Sequence, residues 1–163
     1  MIEFSTLSRD ERALYNPAFT GLTVARCVQG HQAEVNRPCP VAVAILAAVM
    51  ALQPTIRNVL PRSTASGLHR WVQEHSAVRS SMALNATAIA GVVRPGLLMA
   101  LQTRTLVCDI DGNLHVPKRA LKKAITGESD DVVAVQKAAF FLGRWLPSAG
   151  SISTVMTLLG VRP

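Results

Sequence analysis

Between Val59 and His75 the chain reads VLPRSTASGLHRWVQEH, which gathers hydroxyls (Ser63, Thr64, Ser66), an imidazole (His69), a carboxylate (Glu74) and two guanidinium groups (Arg62, Arg70). Hydroxyl, imidazole and carboxylate are the ingredients of nucleophilic acyl transfer, provided the imidazole can take the hydroxyl proton while the carboxylate orients it. Their order along one short stretch gives no reason for them to converge. Alternatively, Arg62, Ser63, Thr64 and Ser66 could form an anion site at a helix start, where free backbone N–H groups and the helix dipole favour negative charge. The simpler expectation is that Ser63 or Thr64 caps the helix, worth about 1 kcal/mol, while Arg62 is solvated.

Other chemistry is hard to find. The sequence has no GxxxxGK phosphate loop, no GxGxxG after a strand, no GxSxG and no HExxH. His31, His69, His75 and His115 are scattered, and the nearest two are six apart instead of the four that puts two ligands on one helix face. Asp109 and Asp111 surround a tight turn, which accounts for Asp111. No catalytic residue, metal site or cofactor is expected, so the chain does not read as an enzyme. Lys118, Arg119, Lys122 and Lys123 form the densest basic cluster, which could contact DNA phosphates without sequence preference or could equally be a solvated charged helix face. Trp71 and Trp145 read as core anchors.

At 163 residues the chain fits one domain with a core large enough to fold without disulfide or metal staples. About half of the residues are hydrophobic (49%) but only 4% are aromatic, which favours helix packing over a large sheet. The net charge of +7 suggests an acidic partner surface or nucleic acid. Three widely spaced cysteines and an N-terminus without the apolar core of a leader suggest a cytoplasmic protein. The longest apolar run, Val41 to Leu52, is well short of the roughly 20 residues that span a bilayer, so no membrane partner is expected.

The expected fold is a compact, mainly α domain over residues 16–163 with one β-hairpin near 105–116, preceded by an N-terminal extension, 1–15. Asn16 and Pro17 start a helix to about Gln29. Pro40 opens an all-apolar helix placed at the centre of the fold, which Pro54 ends before a short helical turn, Thr55 to Leu60. A helix capped by Ser63 or Thr64 turns Leu68, Trp71 and Val72 inward. Ser76 caps a long helix through Met82, Leu84, Ile89 and Val92, and Arg94-Pro95 breaks it before a shorter helix, Pro95 to Gln102. Alternating Leu106, Cys108 and Ile110 and the Asp111-Gly112 pair predict a hairpin with strands Thr105 to Ile110 and Asn113 to Val116. A helical Lys-rich segment follows, then a helix capped by Ser129 running to about Leu146, and a last one capped by Ser151 and closed by Gly160. Helix, break, helix and hairpin is also the order of a winged helix, with Pro95 to Gln102 as the reading helix. That alternative, a stand-alone DNA-binding regulator, suffers because PGLLMALQ offers few polar side chains for base edges.

Four motifs in order, NPAF (Asn16 to Phe19), LPRST with LHRWVQEH (Leu60 to His75), FLGRWL (Phe141 to Leu146) and the terminal LLGVRP, resemble the middle component of bacterial three-component ABC systems. The resemblance spans Asn16 to Pro163. It implies a small non-catalytic subunit that links an SMC-like ABC ATPase to an effector, in systems similar to Lamassu that defend bacteria against phage and plasmids. It makes Leu60 to Thr64 and Phe141 to Trp145 the first candidates for structural or docking roles; together with the Arg-bearing outer side of the helix after Ser63, the candidate partner-binding residues are Arg62, Ser63, Thr64, Arg70, Arg144 and Trp145.

Overall fold

The computed structural model describes residues 8–162. Among these it contains eight α-helices and a small antiparallel sheet, so the mainly α expectation with a hairpin holds. Helix α1 (Arg9–Leu14) opens with a capping box: Ser8 Oγ accepts from the Glu11 N–H at 3.2 Å, and Glu11 Oε2 accepts from the Ser8 N–H at 2.9 Å. Helix α2 (Pro17–Glu34) starts as expected, with Asn16 Oδ1 accepting from the Ala18 N–H at 2.8 Å. It continues through Gly30 to Glu34, because that glycine serves packing and does not end the helix.

Helix α3 (Val41–Ala51) is buried at eight of its eleven positions and touches α2, α6 and α7, as an all-apolar helix must. Short helices α4 (Pro54–Arg57) and α5 (Leu68–Glu74) lead to α6 (Ser76–Gln102), and α7 (Asp130–Trp145), a 3-10 turn (Leu146–Ala149) and α8 (Ile152–Leu159) complete the chain. Ser129 and Ser151 cap α7 and α8, and Gly160 ends α8 in the left-handed region at φ +72°.

Helix α2 is the pillar on which α6 and α7 lean, and glycines set the distance. A Cβ on Gly21 would lie 2.6 Å from the Gly96 carbonyl oxygen of α6, and one on Gly96 would collide with Thr20. On the α7 side, a Cβ on Gly30 would collide with the Phe140 carbonyl and one on Gly143 with the Cys27 carbonyl. Backbone therefore meets backbone at both crossings, which only residues without a Cβ permit.

Several local expectations are corrected. Helix α6 does not break at Arg94-Pro95: it is one helix of 27 residues with Pro95 inside it. Pro95 and Gly91 both lie on the exposed face, so the Gly91 carbonyl that loses its donor faces water, while Val93, Gly96 and Leu97 are buried and hold both halves in line. Leu84 points outward, 81% exposed. The caps also shift. Gly67 precedes α5 and His75 precedes α6, neither with a side-chain cap bond, and Ser63 Oγ instead accepts from the Ala65 N–H within the loop.

Beyond the hairpin a third strand appears. Strands β1 (Cys39–Pro40), β2 (Val107–Cys108) and β3 (Asn113–His115) form an antiparallel sheet in the order β1-β3-β2, with Leu114 opposite both Cys39 and Cys108. The turn is built by Asp109, whose Oδ1 accepts from the Asp111 and Asn113 N–H groups at 2.9 and 2.8 Å, and by Gly112 at φ +78°. The strands are shorter than expected because the hairpin pairs only near Leu114, where it covers the core. The Lys-rich segment after it is turns and extended chain, not helix, with Arg119 at φ +66°.

By length and composition α6 would also suffice to cross a bilayer, although one third (33%) of its most apolar window is buried here against the rest of the protein.

Candidate partner-binding face

The loop from Val59 to Gly67 owes its shape to two indoles beneath it. Trp71, inward on α5, donates its Nε1–H to the Val59 carbonyl at 2.8 Å, and Trp145, the last residue of α7, donates its own to the Ser66 carbonyl at 2.6 Å. The rings meet edge to face with centroids 5.1 Å apart, and Phe141 lies 5.5 Å from Trp145 on the other side. Each end of the loop is thus tied to a buried ring, and buried N–H groups that would otherwise be costly are satisfied.

On this base sit the residues singled out in the sequence. Arg62 and Ser63 are exposed at the top of the loop, Thr64 is half-buried, and Arg70 projects from the outer face of α5. Arg70 Nε donates to Glu74 Oε1 at 2.8 Å, and that hydrogen bond together with the Glu74 charge raises the guanidinium pKa from its ordinary value. Because both side chains are largely exposed, the pair contributes little to folding and is available for exchange with another carboxylate. Loop and helix enclose an open cleft of about 380 Å³ whose lining includes Pro61, Ala65, Ser66, Arg70, Trp71 and His75.

Two candidates are placed differently. Trp145 is wholly buried and does not reach the surface; it acts on this face only through the loop it holds. Arg144 turns to the end of α2, where its Nε donates to Glu34 Oε2 at 2.9 Å. The acyl-transfer constellation does not assemble: Glu74 is engaged with Arg70, and no hydrogen bond among the described residues joins Ser63, His69 and Glu74. No group of three or more His, Cys, Asp or Glu side chains among the described residues could hold a metal ion. Burial pushes the Cys27 thiol well above its usual range and the Cys39 thiol up to about 12, so neither supplies a thiolate.

The basic cluster has a support that sequence spacing did not indicate. Lys118, Arg119, Lys122 and Lys123 are all exposed on the strap between β3 and α7. Arg26 of α2, only 4% exposed, holds this strap from below. Its Nη1 donates to the Lys122 carbonyl at 2.6 Å and to Gln29 Oε1 at 2.8 Å, its Nη2 to the Ala124 carbonyl at 3.1 Å, and its Nε to Gln136 Oε1 at 3.0 Å. Gln136 in turn donates to the Thr126 carbonyl at 2.9 Å. Desolvation lowers the Arg26 pKa, and no carboxylate among the described residues pairs with it. Neutral carbonyls carry the whole task of stabilising this charge.

Arg26→Ala should therefore release the strap while leaving the helices formed. Trypsin should then cleave after Lys122 and Lys123 about tenfold faster than in the native protein, since cleavage follows the population of locally open states. Unchanged cleavage kinetics would mean that the strap is held by other contacts.

The family described as ABC-three component (ABC-3C) system Middle Component 3 matches residues 4–163. No curated protein and no solved structure matches the chain.

Proposed function

The chain belongs to the Middle Component 3 family of ABC-three component systems, and from that premise we propose that it is a non-enzymatic subunit joining an SMC-like ABC ATPase to an effector, in a cytoplasmic complex that defends bacteria against phage and plasmids. As a middle component it partners other components of such a system. The observation that carries the docking assignment is the loop from Val59 to Gly67, which two buried indoles fix in place while Arg62, Ser63, Thr64 and Arg70 are presented on and beside it. A rigid face with exposed guanidinium groups fits an acidic surface, because Arg makes planar two-point contacts to carboxylates and little ordering cost remains. Trp145 supports this face from beneath through its bond to the Ser66 carbonyl, whereas Arg144, paired with Glu34 at the end of α2, would contribute at a separate edge.

Arg62→Glu together with Arg70→Glu should leave circular dichroism and melting of the free protein unchanged, since exposed charges contribute under about 1 kcal/mol to folding. The same pair should cost roughly 2 to 5 kcal/mol of binding if it meets carboxylates in a desolvated interface. Co-purification with the other components of its system reads this out, and a folded double variant that still assembles refutes the assignment.

Non-specific DNA contact by Lys118, Arg119, Lys122 and Lys123 is a second element of the proposal, favoured by their common exposure on the strap. Replacing all four with Ala should flatten the salt dependence of DNA binding by about four phosphate contacts; an unchanged slope removes DNA from the proposal. A stand-alone winged-helix regulator is less well supported. With α6 unbroken at Arg94, its helix pair would have to be α5 and α6.

A further inference from the structure

We propose that the outward face of α6 is a second docking surface, occupied by an amphipathic helix with an apolar row flanked by carboxylates, carried by another component of the same system. The inference rests on the subunit reading above but uses different residues. Helix α6 has 27 residues, about 40 Å at 1.5 Å per residue. Its inward side, including Val78, Met82, Ile89, Val93 and Leu97, is buried. On the opposite side Leu84, Gly91 and Leu98 recur every seven residues and fall on one line. Leu84 is 81% and Leu98 60% exposed, with Met99 at the edge at 39%. Three of the four large exposed hydrophobics among the described residues thus lie on one helix. Single exposed leucines need no explanation, but an aligned row on an uncovered face marks a contact surface.

Charge selects the occupant. Helix α6 contains no Asp or Glu. Arg94 is exposed one turn before Leu98, Arg104 is exposed just past the helix end, and neither forms an ion pair among the described residues. A second copy packed antiparallel about Gly91 would set Leu84 against Leu98, but it would bring two sets of unpaired arginines together in chains that each carry +7. A lipid surface is a poor fit because within the helix Arg94 is the one basic residue beside the row, the other edge being Ala88, Pro95 and Met99. A helix with apolar residues at heptad spacing and carboxylates along one border satisfies both the leucine row and the unpaired guanidinium groups.

The test uses the full chain produced together with the other two components of its system. Leu84→Glu with Leu98→Glu should leave the melting curve of the free chain unchanged, and should weaken binding to one component by about tenfold or more, the scale of losing an interface anchor. Leu84→Gln with Leu98→Gln, which removes the row without adding charge, should act in the same direction and serves if the Glu pair does not fold. Arg94→Glu should weaken binding to the same component and reduce the salt dependence of that contact, Arg104 supplying the remainder. Full-strength assembly of a folded Leu84/Leu98 variant overturns the inference, whereas a native chain that binds neither component overturns the subunit reading itself. Two controls on the free chain also decide against it. One is a native dimer in sedimentation that the leucine pair dissociates; the other is co-sedimentation with phosphatidylserine vesicles that the pair abolishes.

Discussion

Replacing Gly143 with alanine should lower the stability of the fold by about 3 kcal/mol, the upper end of what one inserted methyl group costs in a packed interior. The new Cβ would overlap the Cys27 carbonyl of α2, and its other near neighbours are also backbone. No flexible side chain stands there to give way, so α7 must shift as a body. Gly30 makes the reciprocal contact with the Phe140 carbonyl, so the displacement would open both crossing points at once. Trp145, two residues on, would move with α7 and pull on the Ser66 carbonyl. Urea unfolding should show a lower midpoint with an unchanged slope. Gly91→Ala is the matched control: a Cβ there meets nothing within 4 Å, and the helix-propensity gain should make it neutral or slightly stabilising. Equal midpoints for the two variants would show that α2 and α7 do not meet through their backbones.

Leu46→Asp should have the larger effect and abolish the folded state. Leu46 is 6% exposed within α3, which α2, α6 and α7 surround. A carboxylate placed there must be desolvated or protonated, at a cost of several kcal/mol added to the lost apolar packing. A typical domain has only about 5 to 15 kcal/mol to lose. Circular dichroism of the purified variant reads the outcome, with Leu84→Asp as an exposed counterpart expected to keep its helical signal. A cooperative melt at the native temperature for Leu46→Asp would remove α3 from the core.

The features that could be read in advance are those that a few neighbouring residues decide. Asn16-Pro17, Ser129 and Ser151 start their helices through bonds to N–H groups two or three residues away, and Asp111-Gly112 lies in the turn that closes the hairpin. What failed depended on distant partners. Pro95 reads as a break, but the buried residues around it and the water-facing Gly91 carbonyl outweigh its missing donor. The Lys-rich segment reads as helix on propensity, but Arg26, nearly a hundred residues earlier in the chain, donates to the Lys122 and Ala124 carbonyls and draws them out of a helical ladder. Strand β1 has two residues and no alternation to detect. At the candidate face, the LPRST and FLGRWL motifs lie close together, because Trp145 of the second holds the loop that contains the first. Their division of labour was not legible: Gly143 and Trp145 serve packing, and only Arg62, Ser63 and Arg70 are fully outward.

The two indoles beneath the loop are also the only two tryptophans in the chain, which gives the protein an optical reporter of its own. Both are excited together, each donates a hydrogen bond to one end of the same loop, and their edge-to-face contact at 5.1 Å is close enough for their transitions to couple. Intrinsic fluorescence and the aromatic circular dichroism band therefore report on the loop from Val59 to Gly67 with no contribution from tryptophan elsewhere. A partner without tryptophan that settles on this loop is detectable without a label, and one that settles on the far side of the molecule leaves the signal unchanged.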